Sequence, residues 1–197
     1  MEAADACWAY ALTLYARRGV ERACLDLQDH CALNVNVVLF CLWAGHSGRA
    51  ELTMATLAPA VTHCLAWDDA VVAPLRRLRR RLRDDAIVPG VSDRDRCALR
   101  RRLLRDELAA ERVAQRLLCA SLTQPPQDHA EPADRCRASI NNLARYVRRW
   151  RDAPLDAVGQ RAVSALLSAA YDTLPGRQLY RQALRARLIA PRRAAAR

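Results

Sequence analysis

Twelve residues, Asn34 to Gly45, constrain this chain more than any others. They read Asn-Val-Asn-Val-Val-Leu-Phe-Cys-Leu-Trp-Ala-Gly, and Val35, Val37, Val38, Leu39, Phe40, Cys41, Leu42 and Trp43 leave no polar side on a 3.6-residue repeat. A helix apolar all round has to be covered all round. The run is too short to cross a bilayer, which takes roughly 20 apolar residues. It predicts a central core helix, N-capped by Asn34 and stopped at Gly45. A short apolar run also suits a buried strand, but no neighbouring segment offers it a partner.

The rest of the composition agrees with helices. Gly is scarce, at 6 of 197 residues, while Ala, Leu and Arg dominate. That length supports one domain with a substantial core. All 32 basic residues are Arg, and their placement says more than the net charge of +11. Residues 1–75 hold four Arg and eight acids, a net of −4; residues 76–197 hold 28 Arg and 13 acids, a net of +15. An electrostatic partner should therefore meet the second half. Eight cysteines lack the close spacing of a zinc knuckle. The acidic N-terminus is unlike a signal peptide, and no transmembrane segment is present, so the expectation is a cytoplasmic protein with reduced thiols.

In order, residues 3–16 predict a helix with Trp8, Leu12 and Tyr15 inward, ended by Arg17-Arg18-Gly19. Val20–Cys31 predicts a second, with Cys24, Leu27 and Cys31 inward. After the central helix, Leu52 to about Asp85 is helical, with a kink or break near Val71–Ala73 forced by Pro74. Val71, Leu75, Leu78 and Leu82 form a coiled-coil-like seam. Ile87–Val91 is a turn, and Ser92, three before Asp95, caps a helix over 93–122 whose Leu99, Leu103, Ala110, Ala114 and Leu117 face that seam. A mobile loop over 123–134 precedes helices at 135–150, 155–171 and 177–190, and a frayed tail runs from Pro191 to Arg197. In the 155–171 helix, Val158, Ala162, Ala165 and Leu166 point inward. The fold class is all-α, a single-domain bundle of six to eight helices with a long antiparallel pair over 71–122. Residues 1–171 form the bundle domain and 172–197 a basic C-terminal helix and tail.

The block Leu12–Asp29, followed by Asn34-Val35-Asn36 and Leu39–Trp43, resembles a proteobacterial family of small cytosolic helical proteins known only as a domain of unknown function. Pro74-Leu75-Arg76, Glu107–Arg112 and Asn142–Tyr146 resemble its pattern too, so the likeness spans about 12–150. The resemblance implies a helical fold and brings no reaction or cofactor. The family usually places Gly and Asp in the turn where this chain has Ala32 and Asn34, which makes a left-handed conformation at residue 32 less comfortable.

Two surfaces could do chemical work. Gln28, His30 and Asn36 form a candidate polar pocket beside the central helix, although hydrogen bonds from Asn36 and Gln28 tying the second helix to the third explain them as well. A metal site from Cys24, Cys31, Cys41, His30 and His46 lacks a closely spaced ligand pair. No nucleophile elbow or phosphate loop is present, and Asp68-Asp69 and Asp84-Asp85 read as solvated salt bridges. The chain is read as non-catalytic, with no cofactor.

The stronger signal is arginine geometry. Arg94, Arg101, Arg105, Arg112 and Arg116 align along one helix face for about 33 Å. Arg76, Arg80 and Arg83 crowd the preceding helix end, and Asn142, Arg145, Tyr146 and Arg149 share a later face. Guanidinium forks suit carboxylates and phosphates. An acidic protein partner or self-association is the leading expectation. The alternative is nucleic acid contacted through its phosphates, although few aromatic residues interleave with the arginines and no helix-turn-helix or RNA-binding signature is present.

Overall fold

The Asn34–Gly45 run forms a helix spanning Val35–His46, and every residue from Asn36 to Gly45 in it is buried. Covering side chains such as Phe40 and Leu42 contributes about 1.5–3 kcal/mol each. The Asn34 side chain accepts the Val37 N–H at 3.3 Å and caps it. The computed structural model describes residues 2–49, 51–83, 90–122, 125–126, 130–151 and 153–189, with Tyr180 in its backbone alone. Among them the chain is all helical: α1 (Glu2–Tyr15), α2 (Val20–Leu25), α3 (Val35–His46), α4 (Met54–Trp67), α5 (Ala73–Arg81), α6 (Asp93–Cys119), α7 (Pro132–Trp150), α8 (Ala157–Ala170) and α9 (Gly176–Arg185). Two π-helical turns, Asp26–His30 and Asp68–Val72, extend α2 and α4 without a gap. Since the second joins α4 to α5, the described chain makes eight rods in one bundle around α3. Residues 87–89 of the expected turn, 123–124 and 127–129 of the expected loop, Asp84-Asp85 and the tail from Pro191 lie outside the described residues.

Gly45 has a different role from the one its sequence position suggests. The helix runs past it to His46, and a Cβ built on Gly45 would lie 2.2 Å from the Ser139 backbone nitrogen of α7. Only a missing side chain lets α7 cross that closely. Polar residues of α7 then satisfy backbone groups around α3. The Ser139 hydroxyl donates to the Leu42 carbonyl at 2.6 Å, the Tyr146 hydroxyl accepts the Asn34 N–H at 2.9 Å, and Asn142 accepts the Leu52 N–H at 2.7 Å. These are the partners that buried polar groups require. Asn142 and Tyr146 are thus 0 % and 1 % exposed, facing inward rather than sharing a basic outer face with Arg145 and Arg149.

The turn into α3 is tight. Ala32 adopts φ +53, the left-handed conformation that suits glycine. The Leu33 N–H closes back onto the Leu27 carbonyl at 3.0 Å, and the Arg151 guanidinium donates to the Cys31 carbonyl. The helix before it buries Cys24, Leu27 and Cys31, as expected.

α1 is rotated from its expected orientation. Ala4, Cys7, Ala11 and Leu14 face the core, while Leu12 is 52 % exposed and Tyr15 36 %. Interaxial distance follows side-chain size, so the small stripe packs closely and the bulky one is left at the side. In α8, Val163 and Leu167 join Ala162 and Leu166 inside, and Ala165 is exposed. α9 packs on α7 and α8 through Leu179 and Ala183.

The predicted leucine seam is replaced by ion pairs, and the π turn is the reason. Pro74 has no N–H to give an α-helical carbonyl, and the wide turn Asp68–Val72, closed by the Ala73 N–H on the Asp68 carbonyl, absorbs the fault without a break. Such a turn acts as one inserted residue. An uninterrupted α-helix would carry the inner face of α4 (Leu57, Ala60, Val61, Cys64) onward to Leu75 and Leu78. The extra residue moves it to Arg76 and Arg79, leaving Leu78 47 % exposed. Leu99, opposite the displaced seam on α6, is 44 % exposed. Ser92 caps α6 as expected, accepting the Asp95 N–H at 3.1 Å.

Candidate functional site

Between α1, α2, the start of α3, α5 and α6 lies a cleft of about 770 Å³. Its lining includes the bulky stripe that α1 leaves out of the core, Leu12 and Tyr15, with Leu25 from α2 and Leu104 and Leu108 from α6. All five are 36–52 % exposed. Bulky apolar side chains gathered at one concave place, rather than scattered singly, mark a surface built to be covered.

The wall formed by α5 and α6 is ionic. Arg76 donates from Nε to Glu107 at 2.9 Å and from Nη2 to Glu111 at 2.7 Å. Arg79 donates to both Glu107 oxygens, one of them at 3.2 Å. Glu107 is 3 % exposed. Burial pushes its carboxyl up, but the hydrogen bonds from Arg79 and Arg76 outweigh that and hold it below the ordinary range. Burial raises Glu111 and, in the π turn before α5, Asp68. Asp68 Oδ1 is buried without a hydrogen-bond partner among the described residues, so Asp68 is no solvated surface acid.

Of the candidate polar pocket, Gln28 and Asn36 line the cleft and His30 does not. His30 pairs with Asp156 at 2.6 Å on an exposed surface. Asn36 accepts from Gln115 of α6 at 3.4 Å, and Gln115 accepts the Cys7 thiol at 2.7 Å. The amide therefore ties α3 to α6 and α1; Gln28 bonds to its neighbour Asp29 instead.

The arginine candidates divide. Arg76 is consumed in the cleft wall. Arg80 reaches Asp29 at 3.6 Å, and Arg83 lines the cleft's end. Arg112 pairs with Asp5 and Arg145 with Glu51, each at 2.7 Å. Arg149 lies exposed, its guanidinium 5.4 Å from the centre of the Trp150 ring. Arg94, Arg101, Arg105 and Arg116 are exposed on α6 with no ion pair among the described residues. On an ideal helix Arg101, Arg105 and Arg112 fall within about 100° of Leu104 and Leu108, so the row borders the cleft mouth.

Seven of the eight cysteines are buried, and Cys97 is exposed. Among the described residues no three His, Cys, Asp or Glu side chains gather closely enough to hold a metal ion, and no helix is long and apolar enough to cross a membrane. Sequence reasoning missed Leu25, Leu104 and Leu108 as site residues, and Glu107 as a buried group. The available signal was in α6: Leu104 and Leu108 repeat at i, i+4 away from the Leu103–Ala110–Ala114 core stripe.

Comparisons with curated proteins and with solved structures find no match. A family model described as "Protein of unknown function (DUF2390)" matches residues 6–118, a shorter span at its end than the 12–150 expected from resemblance. Every described residue lining the cleft lies inside that span, from Trp8 to Gln115. More than half the chain, both walls of the cleft included, is therefore accounted for by one family, and this chain belongs to DUF2390.

Proposed function

We propose that the protein is a non-catalytic interaction module that takes an acidic amphipathic helix of a partner protein into the α1/α2/α5/α6 cleft. The observation that carries this reading is the gathering of five exposed bulky apolar side chains in the cleft, with Arg101 and Arg105, exposed and without an ion pair among the described residues, on the helix face adjoining Leu104 and Leu108. Helix-in-groove recognition asks for apolar anchors at i, i+3, i+4 and i+7 and a groove to receive them. The neighbouring guanidiniums add bidentate contacts to carboxylates and select an acidic outer face.

The test uses a synthetic acidic amphipathic peptide of about 20 residues and a scrambled peptide of equal charge, followed by fluorescence anisotropy. The amphipathic peptide should bind more tightly. Leu108→Asp, an exposed position, should weaken it by about tenfold or more, the worth of one buried leucine. Equal binding of both peptides, or indifference to Leu108→Asp, overturns the reading.

A second reading rests on the same unpaired arginines, Arg94, Arg101, Arg105 and Arg116, as a phosphate-contacting row. Mobility shifts on generic duplex DNA and single-stranded RNA at two salt concentrations separate the two. Phosphate binding falls steeply with salt, disappears in Arg101→Gln/Arg105→Gln, and ignores Leu108→Asp.

A further inference from the structure

A second concave site shares no residue with the cleft and lies outside the span matched by the family. On α7, Asn141, Arg145 and Arg148 stand at i, i+4, i+7 and share one face. Arg185, the last residue of α9, and Arg187 beyond it complete a cup of about 340 Å³. Among the described residues four arginines line it and no acid does.

Their neutralisation is incomplete. Arg145 has Glu51 at 2.7 Å, yet its Nη1 is enclosed without an acceptor among the described residues. Arg148 donates to the Ala186 carbonyl at 2.7 Å, a neutral partner that also ties the cup's two walls together. Arg185 and Arg187 have no ion pair among the described residues. Among the described residues one carboxylate thus serves four guanidiniums.

The backbone adds an independent observation. Arg187 sits at φ +55, where the chain leaves α9 and the Leu188 N–H reaches back to the Ala183 carbonyl at 3.0 Å. Glycine is the usual residue in that helix-ending turn, because a side chain there is strained by its own backbone. The chain keeps an arginine in this position, and its side chain lines the cup. Strain held at one residue points to work done by that residue.

We propose that the cup binds a compact phosphate-bearing anion of the diphosphate class. Arg148, Arg185 and Arg187 supply the guanidinium forks, and Arg145 is released in part from Glu51 to join them. Guanidiniums engage phosphate oxygens in pairs, and a set of this number matches two linked phosphoryl groups better than one.

Isothermal titration of the full chain with sodium pyrophosphate, against sodium sulfate at matched ionic strength, tests it. Pyrophosphate should bind one to one and more tightly than sulfate. Arg187→Gly relieves the backbone strain, so it should leave the melting temperature unchanged or higher while weakening pyrophosphate binding about tenfold. Arg148→Gln should weaken it similarly. Adenosine diphosphate in a parallel titration identifies the source: tighter binding than pyrophosphate assigns the cup to a nucleotide, weaker binding to a free polyphosphate. Pyrophosphate binding no better than sulfate, or undiminished in Arg187→Gly and Arg148→Gln, overturns the proposal.

Discussion

Replacing Glu107 by glutamine should loosen one wall of the cleft while leaving the core intact. Glu107 keeps the side chains of Arg76 and Arg79 in place, and these are only 17 % and 16 % exposed. α5 buries none of its own residues, so these ion pairs are its principal attachment to α6. Removing one partner of a buried pair costs about 3–5 kcal/mol, chiefly because the remaining charge is stranded out of water. Glu111 still holds Arg76 at 2.7 Å, so Arg79 alone is stranded and the lower end, about 3 kcal/mol, applies. If the loss is global, the melting temperature drops by about 6–12 °C, at about 2–4 °C per kcal/mol for a chain of this size. If α5 opens by itself, amide exchange over Ala73–Arg81 accelerates by about a hundredfold while α3 stays protected. Circular dichroism melts with hydrogen exchange read by mass spectrometry distinguish the two. Arg79→Gln added to Glu107→Gln should cost less than it does alone, because its charge no longer needs a partner. A melting temperature within about 1 °C of wild type, with α5 exchange unchanged, refutes the claim that charge pairing holds this helix.

Two further outcomes are expected. Ala32→Gly should stabilise the protein by about 0.5–1 kcal/mol, read as a higher urea midpoint, since relief of the left-handed strain exceeds the added freedom of the unfolded chain. The pH dependence at Asp68 and Glu107 should run in opposite senses. Burial raises the Asp68 carboxyl above its unfolded value, so its contribution to stability is full at acid pH and lost as pH rises. Asp68→Asn should therefore raise the urea midpoint at pH 7 and have little effect near pH 3, below the ordinary carboxylate range. Glu107 is held low by its arginines, so its contribution is present at neutral pH and lost on acidification; the Glu107→Gln penalty should shrink with acid.

The sequence was most legible where one physical demand dominated. A run with no polar side had to be central, and Val37, Phe40 and Trp43 are 0 %, 0 % and 3 % exposed. The caps at Asn34 and Ser92 were local hydrogen-bond problems, solvable within four residues. The site was less legible because its residues are set by choices between faces. α1 carries two apolar stripes, and periodicity alone does not say that the smaller one wins the core. On α7 the face expected outside is one residue out of register: Asn142 and Tyr146 turn inward to hold the backbone at Leu52 and Asn34, and Asn141, Arg145 and Arg148 look outward. Asn36 stands out as a polar residue in an apolar run, but its partner Gln115 lies 79 residues away, a pairing that no local pattern announces.

The π turn Asp68–Val72 gives a single residue unusual leverage over the sign of the surface. One supernumerary position there decides whether α5 shows α6 its guanidiniums or its leucines. Between family members, a length change of one residue at this turn would swap a charged hinge for an oily one, although every side chain downstream stayed the same. The chemistry of the cleft wall is in that sense written by counting, before any residue of the wall is chosen.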